Sequence, residues 1–422
     1  MDSIIFDQFQ ACFAQELHMA GEDLGALESA VMAKMRQLGQ GLLARLVSRG
    51  RNGYKGSSLA CNCGGSMRFV GHRPREIQTV FGWITVNRAY YHCPQCGGSC
   101  VPYDNASGLG SEALSPGLAR GCCTVAADDS FSQTARKIEE LLGQKVSDKT
   151  VERVVHRVGS VIIKQQARQM EGFLEDRRLP EAMTKPQRLY ICPDGTVVHE
   201  KSGWHEAKVG CIYWQDEQLE GQQRYIGCFD NSDVFGKHLW FEACRCGLRE
   251  ASQVVYIGDG AGWIRSIHNR RFSKAVFIVD WYHASEHVWT CGKALFGEGT
   301  RATAAWVVGP LNLLWDGWTR KLLRFLERQR SKYRGRKRTA IETLYRYIST
   351  NEQQMRYDVF REKGYDIGSG AVEGACKYLV GKRLKQSGMI WTRAGSSATL
   401  AVRITWLNKD WDNLWSTKPL AA

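Results

Sequence analysis

Residues 254–267 read VVYIGDGAGWIRSI, and residues 275–287 read AVFIVDWYHASEH. In each, a short apolar run of strand length stops on an acid, Asp259 in the first and Asp280 in the second. Between them GWIRSIHNRRF has the spacing of a helix. An earlier stretch, RLYICPDGTVV at 188–198, likewise ends its apolar strand on an acid, Asp194. HEAKVGCIYW and QRYIGCF then alternate as two further strands, and FGKHLWFEACRCG reads as a helix. The predicted order is βββαβαβ, an antiparallel start followed by parallel crossovers. That is the layout of an RNase H-like α/β domain, with strand order 3-2-1-4-5. Strands one and four are then neighbours, so Asp194 and Asp259 can share a metal, while Asp280 lies one strand further out.

Outward from this core the chain changes character on both sides. ALESAVMAKMRQLGQGLLARLVS (26–48) has apolar positions at three- and four-residue spacing and predicts helix. From about Ser57, a CxC (Cys61, Cys63) and a CPQC (Cys93, Cys96) flank REIQTV and WITVNRAYY, a β-hairpin with a Phe-Gly turn. Two tight cysteine turns joined by a hairpin supply the four soft ligands of a structural Zn²⁺ in a zinc ribbon. The first pair is one residue short of CxxC, which leaves His72, His92 or Cys100 as a substitute ligand. Next, SFSQTARKIEELLGQKVSDKTVERVVHRVG (130–159) predicts a helix, a turn and a second helix capped by Ser147. Its exposed face would offer Lys149, Arg153 and Arg157 to DNA, as in a helix-turn-helix. Any helical hairpin with a solvated basic face has the same pattern. Beyond Asp280 the chain is helical to about Gly364 and carries the basic run ERQRSKYRGRKR (327–338). The last apolar helix is expected in IGSGAVEGACKYLVGKRLKQSG, with Ser369 as cap and Glu373 in its first turn.

The chain of 422 residues, 43% of them apolar, is long enough for two or three domains with cores of their own. Lys and Arg outnumber Asp and Glu by 57 to 43, and a net charge of +14 favours a polyanionic partner, nucleic acid first. No apolar run approaches a bilayer span, and the acidic first residues do not fit an export signal, so the expected location is cytoplasmic. Fifteen cysteines in such a chain are reduced thiols and metal ligands rather than a disulfide framework. Neither GxxxxGK[ST] nor a strand-linked GxGxxG is present, which argues against a nucleotide-binding sheet.

Two Asp and one Glu form the donor set that hard Mg²⁺ or Mn²⁺ prefers, and two such ions, about 3.5 to 4 Å apart, serve in-line displacement at phosphorus. Asp194, Asp259 and Glu373 are the candidates. Together the ribbon, PDGT (193–196), GDGAGWI (258–264), DWYHASEH (280–287) and GSGAVEGACKYLVGKRLKQSGMIW (368–391), in that order, resemble the Kra-type (ISKra) insertion-sequence transposases, bacterial relatives of the Mutator-like DDE group. The likeness runs from about Cys61 to Trp411. It implies a DDE triad of Asp194, Asp259 and Glu373 and a helical insertion between the second Asp and the Glu. It also implies a (C/D)xxH motif at Asp280 and His283, which makes Asp280 an accessory residue. His283 is then either a contact to the scissile phosphate or a hydrogen-bonded core residue.

The expected organisation is an N-terminal helical region (1–56), a zinc ribbon (57–104), a helix-turn-helix-like DNA-binding region (105–183), the first part of an RNase H-like catalytic core (184–290), a helical insertion (291–363), and the last part of the core with a tail (364–422). The expected activity is transposition: binding terminal inverted repeats, metal-dependent strand cleavage and joining to target DNA, as a dimer or larger assembly on DNA. A domesticated zinc-containing DNA-binding regulator without turnover and an RNase H-like junction nuclease are the alternatives.

Overall fold

The computed structural model describes residues 23–176, 180–216, 218 and 220–416. The helical expectation for residues 1–22 lies outside them. The chain divides into two compact units, one within Met1–Val161 and Asp410–Ala422, the other Ile162–Lys409.

In the first unit, α1 (Leu24–Ser48) precedes an antiparallel sheet of β1 (Ser58–Ala60), β2 (Ser66–Thr79), β3 (Gly82–His92) and β4 (Ser99–Cys100), hydrogen-bonded in that order. The expected hairpin is β2–β3, closed at Thr79↔Gly82, where Gly82 takes φ +129°. Ile77, Ile84, Val86 and Leu109 form a small core, and Leu43, Ala44 and Val47 of α1 pack against it. Then come α2 (Pro102–Ser107), α3 (Pro116–Ala126), α4 (Phe131–Leu142) and α5 (Asp148–Asp176). Side chains start these helices: Ser115 caps α3, Ser130 and Gln133 form a capping box on α4, and Ser147 Oγ accepts Thr150 N–H at 3.1 Å before α5.

The second unit opens with β5 (Arg188–Glu200), β6 (Gly203–Gln215) and β7 (Gly221–Cys228), paired antiparallel. After α6 (Ser232–Arg245), β8 (Gln253–Gly258) pairs parallel with β5; after α7 (Gly262–Arg271), β9 (Val276–Val279) pairs parallel with β8. The sheet order β7-β6-β5-β8-β9 is the 3-2-1-4-5 arrangement expected from the sequence. Leu189, Ile191, Ile212 and Tyr256 meet Phe235, Leu239, Ile264 and Ile267 from α6 and α7 in a dry core, and burial of this kind contributes about 25 cal/mol per Å² of apolar surface. Asp194 does not end its strand. The alternation continues through Thr196 to Glu200, and β5 pairs with β6 along its whole length; only its pairing with β8 stops, at Ile191↔Tyr256.

Helices follow: α8 (Trp281–Phe296), α9 (Arg301–Trp315), α10 (Thr319–Arg330), α11 (Gly335–Thr350), a 3-10 turn (Glu352–Met355) and α12 (Tyr357–Glu362). The final apolar segment is not one regular helix. It is α13 (Gly370–Ala375), a π-helical turn (Cys376–Gly381) and α14 (Lys382–Leu384), with the buried Arg403 of α15 (Arg393–Leu407) donating to the Tyr378 carbonyl inside the π turn at 3.1 Å. Ser369 occupies the cap position without a side-chain capping bond. From Asp410 the chain rejoins the first unit as α16 (Trp411–Ser416), where Trp411 Nε1 donates to Thr124 Oγ1 at 3.0 Å and Arg120 pairs with Asp412 at 2.5 Å. Among the described residues, no helix is long and apolar enough to cross a membrane.

Candidate active site and metal cluster

The β5–β8 register decides how two of the acids relate. Pairing runs Leu189↔Val254, Tyr190↔Val255, Ile191↔Tyr256 and stops there; Asp194 lies further along β5, and Asp259 directly follows β8. Asp194 Oδ1 accepts its neighbour Gly195 N–H at 2.7 Å, and Oδ2 receives the Cys376 thiol at 3.4 Å. Burial pushes the Asp194 carboxyl above its ordinary value and the negative charge of Asp259 adds to the rise, against the hydrogen bonds from Gly195 and Cys376 and the His283 imidazole. Asp259 Oδ1 accepts Ala261 N–H at 2.7 Å, an Asx turn that aims the carboxylate, while Tyr347 Oη donates to the Asp259 carbonyl at 2.9 Å. Gly260 at φ +86° permits this turn; a Cβ there would lie 3.0 Å from Asn351 Oδ1.

Glu373 stands on α13, which packs against β5 and β6. Its side chain is 59% exposed and pairs with Lys377 at 2.6 Å, one turn on. The structure thus puts Asp194 and Asp259 on or directly after neighbouring strands and the helix of Glu373 against β5, without drawing three carboxylates to metal distance; among the described residues only the cysteines form such a group.

Asp280 is 3% exposed. Its Oδ1 accepts His283 N–H at 2.9 Å as the N-cap of α8, and its Oδ2 accepts Ser369 N–H at the cap position of α13. His283 is partly exposed, with Nδ1 3.5 Å from Glu286 and its ring edge-on to His287 at 5.3 Å. His287 in turn stacks on Tyr347 at 3.8 Å, and burial, then His283, lowers its pKa. His287, Tyr347 and Cys376 were not singled out in the sequence. The i,i+4 spacing of His283 and His287 was the one local signal; the other two arrive from distant helices. Trp281 packs edge-on against Trp315 and Tyr357, and Trp263 against Phe235.

In the first unit Cys61 Sγ lies 3.5 Å from Cys96 Sγ, Cys63 Sγ 3.7 Å from Cys93 Sγ, and all four sulfurs fall within 4.8 Å of one another. A ZnS₄ tetrahedron with Zn–S of about 2.3 Å has edges of about 3.8 Å, so the cluster could hold a zinc ion. The short CNC spacing works because each pair sits in a glycine knuckle: Cys61 N–H reaches Gly65 O at 2.9 Å and Cys93 N–H reaches Gly98 O at 2.8 Å, with Gly64 and Gly97 at φ +84° and +73°. The backbone N–H of Cys96 holds the Cys93 thiol down, to about 7. His72, His92 and Cys100 are outside the four-sulfur group; His72 packs on Phe69 instead.

The expected basic face of α5 is only partly present. Arg153 is exposed, and Lys149, 71% exposed, pairs with Glu152 at 3.0 Å. Arg157 does not share that face: its side chain is 11% exposed and pairs at 3.0 Å with Glu112, which is 4% exposed. The helix register is as expected, but the loop after α2 covers its third position.

Residues 23–413 match the uncharacterised protein family UPF0236. The chain belongs to that family. One similar relative, from Streptococcus gallolyticus, is described as "UPF0236 protein in vanSb 3'region"; it is 24% identical over 343 residues, covering 77% of this chain and 70% of its own.

Proposed function

We propose that this member of UPF0236 is a DDE transposase of the Kra-type insertion-sequence kind, built on an RNase H-like core with a helical insertion and a zinc ribbon, and that it cleaves and joins DNA strands. One observation carries the reading: in a 3-2-1-4-5 sheet Asp194 lies on β5 and Asp259 directly follows β8, its parallel neighbour, while the helix of Glu373 packs on β5 and β6.

The donor set fits a hard divalent cation. Asp194 of β5 and Asp259, directly after β8, are hard oxygen donors of the kind such a cation takes. Asp194, Asp259 and Glu373 would hold Mg²⁺ or Mn²⁺, which when bound supplies Lewis acidity at the scissile phosphate. The chain's own groups do the rest. Gly195, Ala261 and Cys376 fix the carboxylate rotamers of the two aspartates by hydrogen bonding. The partly exposed His283 imidazole contacts the scissile phosphate beside them. Lys377 pairs with Glu373 one turn away.

The test is strand cleavage and joining by the purified protein on duplexes carrying the DNA that flanks its reading frame, with Mg²⁺ or Mn²⁺. Cleaved and joined products that disappear in Asp259→Asn support the reading. Binding without cleavage would point to a regulator, and cleavage of four-way junctions without joining to a junction nuclease.

A further inference from the structure

We propose that the tip of the α10–α11 hairpin is a docking surface for the phosphate backbone of duplex DNA; the inference rests on the DNA-handling function above. Thr319 to Thr350 contain eleven Lys and Arg against two Glu, so nine of the chain's fourteen net positive charges reside in 32 residues. The charges are displayed rather than compensated. Leu322 and Leu326 of α10 and Ile341, Leu344 and Ile348 of α11 are buried between the helices, which turns the polar positions of both outward.

Salt bridging accounts for little of it. Arg338 pairs with Glu342 and Arg320 with Glu352. Lys332, Arg334, Arg336 and Lys337 are exposed and have no carboxylate partner among the described residues. They surround Gly335, whose φ of +57° turns the chain between the two helices, and Lys337 lies 5.9 Å from the Tyr333 ring. Lys321, Arg324 and Arg328 continue the charge along one exposed side of α10 at three- and four-residue spacing, about 5 to 6 Å apart.

Such like charges lie within one Debye length, about 8 to 10 Å at ordinary ionic strength, so they repel one another in the free protein. A partner that removes this repulsion is a polyanion with closely spaced negative groups. Clustered exposed Lys and Arg suit phosphate contacts, which position a duplex rather than read its sequence. Duplex backbone presents one charge per about 1.7 Å of axis and fits that chemistry. By contrast, the anticipated DNA face of α5 has lost Arg157 to Glu112 and has Lys149 paired.

The experiment compares the wild-type full chain with the quadruple variant Lys332→Gln, Arg334→Gln, Arg336→Gln, Lys337→Gln. Each binds a random-sequence 30-base-pair DNA duplex between 50 and 300 mM salt, with an RNA duplex of the same sequence in a parallel arm. These side chains are exposed, and an unchanged melting temperature verifies folding. Each lost phosphate contact lowers the slope of log K against log salt by about 0.9, so the expected fall is about 3 to 4, with affinity at 100 mM reduced roughly 100-fold or more. A variant slope within one unit of wild type overturns the inference while leaving the transposase reading intact; so does a loss confined to RNA. Wild-type protein that binds no DNA duplex overturns both.

Discussion

The buried Asp280 carboxylate accepts the backbone N–H of Ser369, 89 residues further along the chain, while its other oxygen caps α8 at His283. One side chain therefore starts two helices, that of His283 and that of Glu373, and Trp281 N–H to Ile367 O at 2.9 Å ties the same two segments a second time. Asp280 thus acts as a clamp between the two helix starts.

Asp280→Asn keeps one acceptor and replaces the other with a donor facing a backbone N–H. The expected cost is about 1 to 3 kcal/mol in urea unfolding, with strand cleavage reduced and divalent-cation binding retained. A variant as stable as wild type yet wholly inactive would instead put Asp280 among the reacting groups.

For Asp194 the prediction joins stability to activity. Its carboxyl titrates above the ordinary value in the folded state, so its contribution is favourable at low pH and is lost as pH rises through the folded pKa. Once ionised, the buried group therefore strains the fold. Asp194→Asn should abolish cleavage yet raise stability by about 0.5 to 2 kcal/mol, the usual scale for relieving a strained functional group. Mg²⁺ should raise the melting temperature of wild type and not of the variant. Destabilisation at pH 7 would contradict this.

Asp259→Asn and Glu373→Gln should each lower cleavage by orders of magnitude while leaving binding to duplex unchanged, because members of one cation cage act together. If Glu373→Gln retains cleavage, the third ligand lies elsewhere. The pairing of Glu373 with Lys377 makes that comparison informative, and Lys377→Gln should leave cleavage within a few-fold of wild type.

Cys93→Ser with Cys96→Ser should release about one zinc per chain, measured by elemental analysis, and unfold the surrounding hairpin. Cys100→Ser, His72→Ala and His92→Ala should keep the metal, since none joins the four sulfurs. Wild-type protein purified without chelator and free of zinc would refute the assignment.

Arg157→Ala should destabilise by about 3 to 5 kcal/mol because Glu112 would remain buried without its partner. Arg153→Ala, on the exposed side of α5, should stay within about 0.5 kcal/mol of wild type.

How far the sequence could be read follows from the range of each interaction. Strand alternation is local, so the order of β5 to β9 could be read from apolar runs and chain order. Cysteine spacing is local too, and the CNC pair closes on CPQC because glycines follow both. What escaped was set from afar. The π turn after Glu373 is bound up with Arg403, and the inward turn of Arg157 with Glu112. The extension of β5 past Asp194 is visible in the alternation of TVVHE beyond the Asp-Gly pair.

The return of α16 to α3 makes the Ile162–Lys409 unit a nested segment, enclosed in sequence by the two pieces of the other. On the ribosome, Leu189 to Ile404 can condense while the cysteine-bearing unit still waits for Trp411 to reach Thr124. A fragment stopped near residue 161 would carry every cysteine of the cluster and still leave Thr124 and Arg120 of α3 without Trp411 and Asp412. Dissecting this chain into halves therefore means supplying α16 in trans, or rejoining it by circular permutation, before the isolated N-terminal half can be judged for stability.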